Sequence, residues 1–333
     1  MTKQKIFEKI QEQIRQEIYP GASLALYQAG QWQGFYFGWA DPQESKATQA
    51  GLVYDLASVS KVVGVGTLAA FLYKQGKLEL DLPLQHYYPA FHREDVTVRQ
   101  LLTHTSGLDP FIPNRDQLTA PELKEALNHL TVLEDKTFRY TDVNFLLLGF
   151  MLEEIYGQAL NQIFQDQIFQ PWGLAETGFG PVSGAVPTVR GVKDGQVHDP
   201  KARVLGVHAG SAGLFSTLKD LEIFLEHYLQ DDFAANLTRN FSRETGKRRS
   251  LAWNLEDGWL DHTGYTGTFI MYNRKEQKAV IFLSNRTYEK DERAQWILDR
   301  NQLMNLIKTE LYDTPTSMLG VLSCSLNPKD FSS

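Results

Sequence analysis

Ser58 and Lys61 form a Ser-x-x-Lys pair within Tyr54-Asp55-Leu56-Ala57-Ser58-Val59-Ser60-Lys61. The hydroxyl can act as a nucleophile toward a carbonyl and the amine as its base. The apolar run that follows, to about Tyr73, reads as a helix. Residues three apart on a helix share a face, so a helix starting near Ser58 sets the two side chains together. Both then lie near the positive end of the helix dipole. The amine accepts the hydroxyl proton only when neutral. Positive potential and desolvation lower a lysine pKa, so the expectation is a Lys61 shifted downward. Serine is also a common helix cap, so the pair becomes informative only with partners.

Two partners follow in the chain. Arg139-Tyr140-Thr141-Asp142 opens a strongly apolar helix, Asn144 to Tyr156. The Tyr140 phenol could relay a proton between Ser58 and a leaving group. Equally, Tyr140 reads as a packing aromatic and Asp142 as the cap of that helix. Further on, Asp261-His262-Thr263-Gly264-Tyr265-Thr266-Gly267-Thr268 lies before or on a strand. Small residues at a strand edge let a substrate backbone lie alongside. A backbone N–H there, with that of Ser58, could hold a developing oxyanion. A Gly-rich turn between strands accounts for the same residues.

These residues need elements to carry them. Ile6, Phe7, Ile10, Ile14 and Ile18 recur at helical spacing, and Pro20-Gly21 ends that helix. Ser23 to Tyr27 and Trp32 to Trp39 read as a hairpin. From Leu56 to about Trp172 the signals are helical: Val98 to Leu102, Pro121 to Leu130, Asn144 to Tyr156 and Leu160 to Phe169. Gly178 to Gly213 has no period, and a loop that long usually carries function or covers a site. Leu218 to Leu229 is helical. Strands are expected at Ser250 to Trp253, Gly267 to Tyr272 and Lys278 to Ser284, then a long helix from Arg293 to Leu311. Strands near both ends of the chain can join one antiparallel sheet, flanked by the first and last helices, with a helical lobe inserted. That is an α+β fold without alternating βαβ units. The domain reading is residues 1–55 with 214–315 for the sheet, 56–213 for the lobe and 316–333 for a Ser-rich tail.

Five stretches in order resemble the serine β-lactamase and penicillin-binding-protein superfamily, in its class C-like branch with D,D-peptidases, D-aminopeptidases and carboxylesterases. They are Asp55 to Lys61, Gln100-Leu101-Leu102-Thr103-His104-Thr105-Ser106-Gly107-Leu108, Tyr140 to Phe145, Ala212 to Thr217 and His262 to Thr268. The resemblance runs from about Pro20 to Asn285 and implies a β-lactamase/transpeptidase-like fold. It also implies that Ser58 forms an acyl-enzyme, that Lys61 and Tyr140 share acid/base work, and that the Ser58 and Tyr265 N–H groups form the oxyanion hole. Asp142, His262, Thr263 and Gly264 would contact substrate. His104 reads as a fold residue.

Two positions depart from that pattern. Asp142 replaces the Asn of Tyr-x-Asn, and an ionised Asp accepts hydrogen bonds without donating any. His262 replaces the Lys of Lys-Thr-Gly, and its charge is expected to depend on pH near neutrality. Both argue against efficient β-lactam hydrolysis. The remaining reading is a serine hydrolase of an ester or amide, including D-amino-acid peptides. The alternative is a non-catalytic ligand binder or sensor with the same cleft.

Other chemistries are weaker. Ala209-Gly210-Ser211-Ala212-Gly213 imitates a nucleophile elbow, with Asp257 and His262 following, but an elbow needs a parallel-sheet strand leading into a helix. The eight histidines show no His-x-x-x-His pair, so no metal or other cofactor is expected. Val197-His198-Asp199, the most tempting pair, reads through the resemblance as structural or at the site rim. Net charge is -7 with no long basic run, so the expected partner is a small molecule or short peptide and not nucleic acid. No run approaches the ~18 apolar residues of a membrane span. The single cysteine, Cys324, permits no internal disulfide. The N-terminus lacks an apolar leader, which reads as cytoplasmic, or extracellular if a leader has been removed.

Overall fold

A computed structural model of the chain describes residues 2–312. Helix α1 (Thr2–Arg15) precedes the hairpin of β1 (Gly21–Gln28) and β2 (Gln31–Asp41), then the short β3 (Lys46–Ala47) and β4 (Tyr54–Asp55). A 3-10 turn, Ala57–Val59, and a π-turn, Val62–Gly66, lead into α2 (Thr67–Lys74). The lobe continues through α3 (Leu84–Tyr87), α4 (Val98–Thr103), α5 (Ala120–Asn128), α6 (Val143–Tyr156), α7 (Leu160–Phe164) and α8 (Gln170–Trp172). Next come β5 (Gly178–Phe179), α9 (Pro200–Leu205), β6 (Leu214–Ser216) and α10 (Leu218–Gln230). The chain returns through β7 (Asn254–Glu256), β8 (Trp259–Thr263), β9 (Phe269–Asn273) and β10 (Lys278–Ser284) to α11 (Arg293–Tyr312).

The large sheet has the order β3-β2-β1-β10-β9-β8-β7. Its first and last portions meet where β1 pairs antiparallel with β10, Leu24 opposite Phe282. Side chains alternate faces along each strand. Ala22, Leu24 and Leu26 of β1 and Val280 and Phe282 of β10 pack with Ile6 and Ile10 of α1 and Leu303 and Ile307 of α11. The alternate residues, Ala25, Tyr27, Ala279, Ile281 and Leu283, join the larger core of the helical lobe. α6 is apolar all round and its residues from Val143 to Leu152 are buried, as such a helix must be.

Two expectations need correction. Ser250 to Trp253 is not a strand. Ala252 adopts φ 72, which breaks an extended run, and the Ser250 N–H closes onto Trp253 C=O at 3.0 Å. The strand begins only at Asn254. The stretch from Gly178 to Gly213 is also not structureless, since it contains β5 and α9. α9 was legible in principle: Asp199 caps it by accepting from the Ala202 N–H at 2.9 Å, with Pro200 in its first turn. The expected Ser-rich tail and Cys324 lie outside the described residues.

Candidate active site

The Ser58 turn is built tightly. Ala57 has φ 46, a left-handed conformation uncommon for alanine, and its N–H donates to Asp55 Oδ1 at 2.8 Å. Asp55 Oδ2 accepts from the His198 N–H at 2.7 Å, which ties the Gly178 to Gly213 segment to the same turn. Burial pushes the Asp55 carboxyl up to about 6 against the pull of these two N–H groups. From the other side, Thr266 and Thr268 hydroxyls donate to Asp55 C=O and Leu56 C=O at 2.9 and 3.0 Å. A Cβ on Gly264 would stand 2.6 Å from Leu56 C=O and 2.1 Å from Thr268 Oγ1. The Thr263-Gly264 stretch therefore touches the Ser58 turn only because residue 264 is glycine.

Lys61 is fully buried and donates three hydrogen bonds: to Ser58 Oγ at 2.8 Å, Asp142 Oδ1 at 2.7 Å and Ser211 C=O at 2.9 Å. Burial alone would lower its pKa, but the Asp142 carboxylate and the Tyr140 oxygen outweigh that and raise it. The expected neutral amine is therefore corrected: Lys61 is an ammonium with every proton engaged. Asp142 does not cap α6 through its side chain. Its carboxylate bridges Lys61 and Lys201, with Oδ2 3.1 Å from Lys201 Nζ, and despite burial these cations hold it well below the usual carboxylate range.

Tyr140 stands beside this pair, with Lys61 Nζ 5.1 Å from its ring centre. His104 fixes its segment. The buried imidazole Nδ1 accepts from Asn144 Nδ2 at 2.9 Å, its C=O accepts from the Arg139 N–H at 2.9 Å, and its ring lies 4.5 Å from that of Tyr140. His262 is buried 6.2 Å from the Tyr140 ring. Burial, with the charges of Lys61 and Arg249, pushes its pKa well below the ordinary value. The expected charge change near neutrality is thus corrected: His262 is a neutral imidazole there and no substitute for an ammonium.

Ser58, Tyr140, Asp142 and His262 line one cleft of about 750 Å³ that also exposes Thr263, Gly264 and Tyr265. Five cations that sequence reasoning missed line it too: Lys201, Arg115, Arg286, Arg293 and Arg300. Arg300 donates to Thr263 Oγ1 at 3.1 Å, and Arg286 Nε donates to Tyr265 C=O at 2.7 Å. α11 carries Arg293 and Arg300, far from any motif, so no local signal marked them. His198 lines the cleft and stacks on Tyr265 at 5.6 Å, a rim position. Ser211 is buried, with no partner for its Oγ among the described residues and its C=O on Lys61. Its flanks join no parallel sheet, which removes the nucleophile-elbow alternative.

A family model described as Beta-lactamase matches residues 6–304. The chain belongs to the Beta-lactamase family. That makes it a β-lactamase-related serine hydrolase of α+β fold. It is 26% identical over 311 residues to a putative D-alanyl-D-alanine carboxypeptidase of Escherichia coli (strain K12), covering 74% of this chain and 71% of that protein. Its fold matches a β-lactamase/D-alanine carboxypeptidase from Pseudomonas syringae with TM-score 0.75 at 17% identity, over 94% of this chain and 99% of that one. It also matches EstCE1, a hydrolase with promiscuous acyltransferase activity, with TM-score 0.73 at 20% identity, over 93% and 98% of the two chains. No helix among the described residues is long and apolar enough to cross a membrane.

Proposed function

We propose that this family member cleaves the amide or ester of a short peptide with a free C-terminal carboxylate, D-alanyl peptides first, through an acyl-enzyme on Ser58. One observation carries the reading: the Lys61–Ser58 hydrogen bond of 2.8 Å opens into a cleft whose lining includes Arg286, Arg293 and Arg300. The bond supports a nucleophile at Ser58, and the arginines suit a carboxylate. Ser58 Oγ attacks the carbonyl carbon. Lys61 is already protonated, so the Tyr140 phenol is the group left to relay the hydroxyl proton, taking it as its own O–H proton moves on toward the leaving group, while Lys61 steadies the forming alkoxide. The Ser58 and Tyr265 N–H groups hold the oxyanion. Tyr140 passes the proton to the leaving amine or alcohol, and water then repeats the sequence on the acyl-enzyme. Thr263, through Arg300, orients the substrate carboxylate. Asp142 offers only acceptor oxygens and His262 is neutral, so β-lactam turnover is expected to be weak or nil.

Intact mass after a fluorophosphonate, with wild type, Ser58→Ala and Ser211→Ala side by side, tests the nucleophile. One adduct is expected, lost only in Ser58→Ala. Release of D-alanine from an N-acylated D-alanyl-D-alanine, compared with its C-terminal amide, tests the substrate class. Slow or absent release from the free acid relative to the amide would sink that class. An adduct without turnover of any ester or peptide would favour a binder.

A further inference from the structure

Lys201 Nζ lies 3.1 Å from Asp142 Oδ2 and 3.1 Å from Asp199 Oδ2, and the Lys201 side chain is only 12% exposed. Asp199 is itself fixed, because its other oxygen caps α9, the helix that carries Lys201. An ammonium has three protons. Two are directed at carboxylates, and the third is left for the cleft that Lys201 lines. Three consecutive polar contacts connect it to the nucleophile: Ser58 to Lys61, Lys61 to Asp142, Asp142 to Lys201. Both Asp142 oxygens already face lysines, and a carboxylate has nothing to donate to a substrate carbonyl. Lys201, which lines the same wall, is a donor restrained before any substrate arrives.

We propose that Lys201 is a specificity-determining residue that donates a hydrogen bond to the next carbonyl along the acyl part of a peptide bound at Ser58. That carbonyl stands one residue, about 3.5 Å of extended chain, beyond the attacked carbon. Lys201 thereby selects peptide-like acyl groups over plain alkyl ones, with Asp142 as its tether. The inference rests on the Ser58 acyl-enzyme reading.

The test compares p-nitrophenyl esters of N-acetylglycine and pentanoic acid. Their acyl chains are equally long, and only the first has an internal carbonyl. The readout is the ratio of the two kcat/KM values, which cancels changes shared by both. In Lys201→Met the ratio is expected to fall about tenfold or more, the usual scale of a lost hydrogen bond to a charged group. Adding Asp142→Asn, which puts an amide donor back at the site, is expected to restore part of it. If Lys201→Met does not fold, Lys201→Gln, with a shorter donor, is expected to lower the ratio less than tenfold but measurably. An unchanged ratio, including equal losses on both esters, overturns the inference, since Lys201 would then act only through Asp142 and Lys61. Wild type that turns over neither ester overturns the acyl-enzyme reading and this inference together. Turnover with an unchanged ratio overturns only the role of Lys201.

Discussion

At the residue scale, the Lys61–Asp142 pair decides how a proton can move. Asp142 raises the Lys61 pKa, so Lys61 cannot start the reaction as a base. If its ammonium is needed to steady the alkoxide, activity holds until the pH approaches that raised value. Asp142→Asn removes the opposing charge, and the alkaline limb of kcat/KM for an ester should move about one to two pH units toward neutrality. A rate that instead rises near neutrality in this variant would restore Lys61 as the base. The same pair shapes stability. Lys61, with a raised folded pKa, stabilises at neutral pH and loses that contribution as pH climbs through the folded value. Asp142, with a depressed one, contributes above the ordinary carboxylate range and loses it as pH falls. Asp142→Asn also leaves a fully buried ammonium without its counter-charge. A loss of about 3 kcal/mol in urea unfolding is expected.

At the element scale, the nucleophile depends on contacts between segments far apart in the chain. The Ser58 turn is held by Asp55, by the Thr266 and Thr268 hydroxyls, and by close approach of Gly264. Alanine at 264 has no room beside Leu56 C=O. Gly264→Ala should cost about 2 kcal/mol through overpacking. It should also slow fluorophosphonate labelling of Ser58 at a temperature where the variant remains folded, since the strand end and the turn must separate. Labelling at the wild-type rate would show that the turn keeps its shape without this contact. The short elements explain what the sequence hid. α9 spans only Pro200–Leu205, too brief to show a period, so the Asp199 cap and Pro200 were its sole local marks, yet it carries Lys201 into the cleft. Residues 250–253 carry a strand-like apolar run, but the Ala252 N–H is drawn to Leu102 C=O at 3.1 Å and the backbone turns.

At the scale of the whole molecule, two cores divide the labour. The α1–α11 layer against one face of the sheet includes Ile10 and Leu303, both fully buried, and no residue of the Ser58 turn. Ile10→Ala and Leu303→Ala should each cost about 3 kcal/mol. Their labelling rate per folded molecule should stay within about twofold of wild type, because distant sites act independently. A larger fall would mean that this layer sets the cleft geometry, which α11 could do through Arg300. α11 thus has two duties, packing through Leu303 and Ile307 and presenting Arg293 and Arg300 to the cleft.

The longer elements and the local chemistry were legible in the order of residues alone. Helical spacing of apolar residues marked α1, continuous apolar runs marked α6, β9 and β10, and the spacing of Ser58 and Lys61 set them side by side. Those signals are local, and burial rewards them wherever the chain folds back. The charge states came from contacts between segments distant in the chain. Asp142 meets Lys61 and Lys201 across gaps of 81 and 59 positions, and His262 is neutral because other segments dehydrate it and set Lys61 and Arg249 nearby. A pKa depends on burial and on every charge within a few ångströms, and neither is written in the order of residues along one chain.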